Sequence, residues 1–177
     1  KRFLPNTIFL CPDGHEKCSI NPSGFQWFDL TKDDPDYILN ESLKAEKKII
    51  KFLDEVKETY NVENKNISLS GFSQGCMMSI NVGLTAEEPF SCIVGFSGKI
   101  IDTKNLKMRR KNFTNTLLVH GDQDDIVSPT HLLEAKDFLL REKVNIETHL
   151  IKDCGHHIPI DASSLALNYI LKKNLRH

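Results

Sequence analysis

The sequence predicts an α/β fold in which a mostly parallel sheet carries helices on both of its faces. Short apolar runs of strand length alternate along the 177 residues with longer segments whose apolar residues recur at helical spacing. Strands separated in this way pair in parallel through right-handed crossovers. No linker-like, repeated or low-complexity tract interrupts the chain, so we expect a single domain over residues 1–177.

The composition narrows the class of function. The formal net charge of −1 gives no field that favours nucleic acid or an anionic membrane. No apolar run approaches the roughly 20 residues of a membrane span, so stable membrane insertion is not expected. The cysteines are five in number and follow no disulfide or zinc spacing. This pattern favours reduced thiols in a cytoplasmic protein without a metal.

The first third of the chain contains one predicted strand and one predicted helix. Residues 7–11 form an apolar run closed by a Pro-Asp-Gly turn, and we expect a strand there. A polar loop that carries Trp27 then extends to about residue 34. Asp34 before Pro35 is a typical helix start. An apolar stripe extends the helix to Tyr60, and the lysines and glutamates opposite it are expected to face solvent.

The rest of the chain alternates strands and helices. We expect strands at residues 67–70, 92–96, 116–120 and 146–151. Helices are expected at about residues 74–84, after Ser128-Pro129, and at about residues 161–173. The basic run Arg109-Arg110-Lys111 precedes a strand and is expected to be a solvated loop.

The most specific local pattern is Gly71-x-Ser73-x-Gly75, which lies between a predicted strand and a predicted helix. A serine at such a sharp turn has its hydroxyl pushed out of the backbone, where a base and a substrate can both reach it. We expect the close approach of strand and helix to exclude a Cβ at both glycines. The alternative is an ordinary polar residue at a helix start.

Candidate acids and bases follow two later strands, at the same edge of a parallel sheet. The first group is His120-Gly121-Asp122-Gln123-Asp124-Asp125, and the second is Gly155-His156-His157. A serine nucleophile needs a neighbouring base, and the base needs a carboxylate that fixes its tautomer. Asp122 and Asp125 compete with Asp124 for the role of acid, and His157 competes with His156 for the role of base. His120 ends a strand and is expected to be a structural histidine that bonds to the neighbouring loop.

Together these motifs resemble the phospholipase/carboxylesterase family, whose members include acyl-protein thioesterases. The resemblance rests on Gly-Phe-Ser-Gln-Gly, His-Gly-Asp-x-Asp-x-x-Val and Gly-His-x-Ile, and it extends to the Pro-Asn-Thr run before residue 8 and to Trp27-Phe28-Asp29. It implies an α/β-hydrolase three-layer fold and a serine hydrolase of esters or thioesters, with short to medium acyl chains and lysophospholipid among the candidates.

The resemblance also assigns residues to roles. It implies Ser73 as nucleophile, Asp124 as acid, His156 as base and the backbone N–H of Gln74 as an oxyanion donor. Trp27 is a candidate wall of the substrate pocket, with a place in the core as the alternative. The partner is then a small-molecule ester or thioester, and no cofactor is needed.

One element of the resembled pattern is missing from the sequence. A second oxyanion donor is expected from a glycine-rich loop after an upstream strand, and nothing before Thr7 matches it. We therefore expect an N-terminally truncated fold with a bare sheet edge, which favours a homodimer. The alternative function is a weakly active or inactive hydrolase remnant that needs a missing segment or a partner.

Overall fold

The computed structural model describes residues 3–174, in which a four-stranded parallel sheet forms the centre of the molecule. Its strands are β3 (Ser68–Phe72), β4 (Cys92–Phe96), β5 (Thr116–Gly121) and β6 (Ile146–Ile151). They lie side by side in chain order, and each pairs in parallel with the next. The α/β fold class and these four strands are confirmed, so the carboxyl ends of β3, β5 and β6 share one edge of the sheet.

Within the described residues, five α-helices accompany the sheet. They are α1 (Pro35–Tyr60), α2 (Gln74–Thr85), α3 (Thr103–Arg109), α4 (Thr130–Arg141) and α5 (Ile160–Asn174). The start of α1 is the predicted one, because the Asp34 carboxylate accepts hydrogen bonds from the amides of Asp36 and Tyr37.

The helices form layers on both faces of the sheet. Successive side chains of β4 point to opposite faces and are apolar, so both faces must be covered. Cys92, Val94 and Phe96 pack against α5 on one face, whereas Ile93 packs with α2, α3 and α4 on the other. A third cluster joins α1 to α2, with the fully buried Phe28 from the preceding loop. The helix α2 is therefore covered on two sides, by the sheet and by α1.

The predicted strand at residues 7–11 is wrong. These residues have no strand assignment, and the large apolar side chains of Ile8, Phe9 and Leu10 are 58%, 54% and 41% exposed. A strand forms only where a neighbouring strand takes its backbone hydrogen bonds, and no described strand lies beside this run. The loop that follows contains a short antiparallel hairpin that was not predicted. Its two strands, β1 (Glu16–Lys17) and β2 (Phe25–Gln26), are two residues long each.

The prediction of a solvated loop at residues 109–111 is correct for Lys111, which is exposed in the loop after α3, and wrong for Arg109. Arg109 ends α3 and forms an ion pair with Glu46, which is only 4% exposed on the face of α1 that was expected to be polar. Glu46 is therefore an exception to the predicted solvent-facing stripe. Burial of a lone carboxylate is costly, so the guanidinium of Arg109 is needed to compensate it.

We expect Arg109→Met to lower the free energy of unfolding by about 2 to 4 kcal/mol, because the apolar stem remains while the buried charge of Glu46 loses its partner. Urea denaturation measures this change. The matched control is Lys111→Met, whose pair with Glu87 is exposed and should contribute less than about 1 kcal/mol. Equal losses in both variants would contradict the prediction.

Candidate active site

The turn between β3 and α2 holds Ser73 in a strained conformation. Its φ of 53° and ψ of −115° lie outside the strand and helix regions that a non-glycine residue prefers. The backbone is held on both sides, because the Ser73 amide donates to Phe96 O at 2.9 Å and the Met77 amide donates to Ser73 O at 3.2 Å. The hydroxyl makes no capping hydrogen bond to α2. This geometry differs from that of an ordinary helix cap, and it leaves the hydroxyl available.

The two glycines of the turn differ in what they allow. A Cβ built on Gly71 would overlap the carbonyl group of Gly75, so the crossing of β3 and α2 requires glycine at position 71. A Cβ on Gly75 would meet nothing within 4 Å. The prediction that both glycines are sterically required is therefore correct for Gly71 and wrong for Gly75.

The acid and base candidates meet at the carboxyl edge of the sheet. Asp124 follows β5, His156 follows β6, and His156 Nδ1 lies 2.8 Å from Asp124 Oδ2. The Asp124 side chain is fully buried, and that of His156 is 17% exposed. The structure thus brings together Asp124 and His156, and it separates them from their competitors. Asp122 accepts instead from the Cys154 amide, Asp125 is exposed, and His157 lies 3.8 Å from the Cys154 thiol.

Hydrogen bonds keep Asp124 ionised. Burial raises the pKa of this carboxyl, but the amides of Val127 and Ile126 and the imidazole of His156 together lower it below its ordinary value. The carboxylate therefore accepts the proton on His156 Nδ1, which leaves Nε2 of the neutral ring without a proton. An imidazole in this tautomer can act as a general base through Nε2.

The nucleophile turn and the acid–base pair are neighbours. The ring of Phe72, the residue before Ser73, lies against the ring of His156 with a centroid distance of 4.7 Å. No hydrogen bond of the described residues joins the Ser73 hydroxyl to His156. Such contacts are often long in ligand-free enzymes and tighten when substrate binds. Sequence reasoning missed Phe72, although its position next to Ser73 in the motif was a signal.

The side chain of Gln74 joins the nucleophile turn to the loop before α1. Its Oε1 accepts from the Trp27 amide at 3.0 Å, and its Nε2 donates to Phe28 O at 2.7 Å. Trp27 is half-buried and packs against the α1–α2 cluster. Sequence analysis assigned only the backbone N–H of Gln74, and no local pattern in the sequence indicated this second role. The amide itself lies in the first turn of α2, ahead of the first helical hydrogen bond, from Met77 to Ser73.

The cysteines near the site are not activated nucleophiles. Burial raises the pKa of the Cys76 thiol, which packs beneath the turn, to about 12. Burial and the charges of Asp122 and Asp124 also raise the pKa of Cys154.

Within residues 3–174, no three His, Cys, Asp or Glu side chains are grouped as a metal site would require. No helix in the same range is long and apolar enough to cross a bilayer.

Comparison with known proteins shows that the chain is similar to one family. A model of the Phospholipase/Carboxylesterase family matches residues 1–174. The chain is 25% identical over 171 residues to Esterase YpfH of Escherichia coli (strain K12), a match that covers 94% of this chain and 70% of the esterase. It is 28% identical over 121 residues to Acyl-protein thioesterase 1 of Yarrowia lipolytica (strain CLIB 122 / E 150), covering 65% of this chain and 52% of that protein.

A solved structure shows the same fold. The crystal structure of esterase PE8 superposes with a TM-score of 0.87 at 29% sequence identity, over 91% of this chain and 76% of that one. The chain has the α/β-hydrolase fold that the sequence resemblance implied.

We expect Gly71→Ala to destabilise the protein by about 3 kcal/mol, because the new methyl group meets backbone that cannot move aside. Gly75→Ala is the matched control in the same turn. It should leave stability unchanged or raise it by up to about 1 kcal/mol, since glycine is a poor helix residue. Urea denaturation of both variants tests the difference, and similar losses in the two would show that the crossing is not the constraint.

We expect Gln74→Leu to free the segment at Trp27, since the part-buried N–H of Trp27 and C=O of Phe28 both lose their partners. The free energy of unfolding should fall by about 2 kcal/mol or more. Trp27 is the single tryptophan of the chain, so its fluorescence emission should shift to longer wavelength as the ring gains solvent. Gln123→Leu, which removes an exposed amide bonded to Asp153, is the control and should leave the emission unchanged.

Proposed function

Because the chain belongs to the phospholipase/carboxylesterase family, we propose that it is a serine esterase or thioesterase that acts through Ser73, His156 and Asp124. The observation that carries the proposal is the buried contact between Asp124 and His156 at 2.8 Å, beside a serine held in a strained strand-to-helix turn. Strained backbone of this kind persists where the surroundings hold it in place and is concentrated at functional sites.

The proposed reaction begins with the ring nitrogen of His156 that faces away from Asp124. Nε2 accepts the hydroxyl proton of Ser73 as Oγ attacks the carbonyl carbon of the ester or thioester. The ionised Asp124 stabilises the imidazolium that forms, because its Oδ2 accepts from Nδ1 throughout. The tetrahedral intermediate then expels the alcohol or thiol, which takes the proton from Nε2. This step leaves an acyl group on Ser73.

The second half of the proposed cycle removes the acyl group by the same route. His156 takes a proton from water, the resulting hydroxide attacks the acyl carbonyl, and the acid leaves as Ser73 regains its proton. The oxyanion of each tetrahedral intermediate is stabilised by the backbone N–H of Gln74, with support from the positive end of α2. All of these steps use the chain's own residues and water.

The substrate class follows from the relatives and from the surface around the triad. The names of the related proteins describe esterases and an acyl-protein thioesterase, and we carry an acyl ester or thioester substrate over to this chain as a proposal. Apolar side chains flank the triad in sequence: Phe72 precedes Ser73, Ile126 follows Asp124 by two residues, and Ile158 follows His156 by two. All three are partly exposed, which suits an acyl chain of short to medium length. Trp27, tied to Gln74, is the proposed wall on the opposite side.

We expect a fluorophosphonate probe to label Ser73 stoichiometrically and p-nitrophenyl acetate and butyrate to be hydrolysed faster than long-chain esters. Ser73→Ala should lose both the labelling and the hydrolysis, by roughly 10³-fold or more in rate. Mass spectrometry of the labelled peptide and steady-state kinetics provide the two measurements.

The control for this experiment is Ser70→Ala, an exposed serine on β3 three residues before the turn, which should keep full activity. Equal hydrolysis by wild type and Ser73→Ala would contradict the proposal. Absence of labelling in folded wild type would instead favour the alternative of an inactive or weakly active chain.

A further inference from the structure

A second histidine contacts the candidate catalytic aspartate from within the core. His120 lies near the end of β5, and its side chain is 1% exposed. As the sequence predicts, it bonds to the neighbouring loop, with Nε2 2.8 Å from the Val127 carbonyl oxygen. A carbonyl oxygen can only accept a hydrogen bond, so His120 Nε2 must carry a proton.

The same ring nitrogen also lies close to Asp124, although its N–H donates to the Val127 carbonyl and not to the carboxylate. His120 Nε2 lies 3.3 Å from Asp124 Oδ2, the oxygen that contacts His156, and both side chains are almost completely buried. The other oxygen, Oδ1, accepts from the amides of Ile126 at 3.0 Å and Val127 at 2.8 Å. Three hydrogen bonds therefore hold the carboxylate, two from backbone amides at Oδ1 and one from His156 at Oδ2, and its orientation toward His156 depends on the turn that supplies the two amides.

We propose that His120 is a positioning residue that keeps the Asp124 carboxylate aimed at His156. The inference rests on the proposed function in so far as it assigns Asp124 and His156 as the acid–base pair. His120 acts through its hydrogen bond to the Val127 carbonyl, which holds the turn that supplies both amides to Oδ1. Without it, the buried Val127 carbonyl loses its donor and the turn at residues 124–127 loses its attachment to β5.

The orientation of the Asp124 carboxylate determines the tautomer of His156. The proton sits on Nδ1 because an ionised carboxylate accepts it there, and this leaves Nε2 free for Ser73. If the carboxylate turns away, the proton can move to Nε2, and the ring then presents a donor to the serine. Loss of the aspartate from a serine–histidine–aspartate triad costs about 10⁴-fold in kcat for this reason. Loss of His120 should cost less, since Asp124 remains.

Three variants separate the contributions of shape and hydrogen bonding. His120→Phe keeps the size of the ring but removes the N–H group. His120→Asn keeps an amide, but its side chain is too short to reach the position of Nε2. It therefore also loses the bond to Val127, and it replaces His120→Phe if that variant fails to fold. His120→Gln can place its amide nitrogen where Nε2 lies, so it should restore the bond to Val127.

The deciding measurement is the tautomer of His156, read from long-range 1H–15N correlation spectra of the ring nitrogens at neutral pH. The signals of His156 are assigned by their absence in His156→Ala. We expect wild type and His120→Gln to hold His156 in the Nδ1–H form, whereas His120→Phe and His120→Asn should populate the Nε2–H form. The kcat for p-nitrophenyl butyrate should fall about 10- to 100-fold in the two loss variants, with KM changed less than about twofold.

An Nδ1–H tautomer that persists in folded His120→Phe or His120→Asn would overturn the inference, because a merely structural histidine would leave His156 unchanged. This readout needs no activity, so the two proposals can fail separately. If Ser73 is not labelled by the fluorophosphonate but the tautomer shifts, the proposed function fails and the role of His120 stands. If Ser73 is labelled and the tautomer does not move, only the role of His120 fails.

Discussion

The parallel ladder from β3 to β6 is the constraint on which the candidate site depends. Parallel pairing sends all four strands in one direction, so the residues that follow β3, β5 and β6 arrive at a single edge although they are distant in sequence. The ladder also continues past the strand ends, since the Ser73 amide bonds to Phe96 O and the Ser97 amide bonds to Val119 O. A residue in the conformation of Ser73 costs about 1 to 3 kcal/mol, and these bonds hold the chain there.

Two buried carboxylates show two ways of keeping a negative charge inside the protein. Glu46 is compensated by an opposite charge, the guanidinium of Arg109, and nothing in its surroundings needs it to be reactive. Among residues 3–174, no lysine or arginine side chain pairs with Asp124; backbone amides and the imidazole N–H of His156 bind it instead. In the proposed reaction, a permanent cation beside Asp124 would compete for the carboxylate that stabilises the transient charge on His156. The site therefore uses neutral donors where the structural pair uses an ion.

The sequence predicted the elements whose signals are local or periodic, and it failed where a distant partner decides. The four strands, the start of α1 at Asp34 and the turn at Ser73 follow from apolar runs, a capping residue and a glycine–serine–glycine pattern, all readable within a few residues. Residues 7–11 have the composition of a strand, but pairing requires a neighbour that composition cannot reveal. Glu46 occupies a polar stripe, and its buried charge is compensated by Arg109, 63 residues away. The Gln74 side chain was missed for the same reason, since its partners lie 46 and 47 residues before it.

The two hydrogen bonds of the Gln74 side chain hold only one part of the long loop before α1. The hairpin tip of that loop lies outside these bonds and can be replaced. Trp27 and Phe28 are bound to the first residue of α2, whereas the hydrogen bonds at the hairpin tip join residues of the hairpin itself: Gly24 to Asn21, Cys18 to Gly24 and Ser23 to the Asn21 side chain. The tip residue Ile20 is 80% exposed. Insertions are best tolerated at exposed tips whose ends are tied down. The tip near Asn21 is thus a suitable position for loop grafting or library design, because new sequence there would leave the hydrogen bonds between Gln74 and the Trp27–Phe28 segment in place.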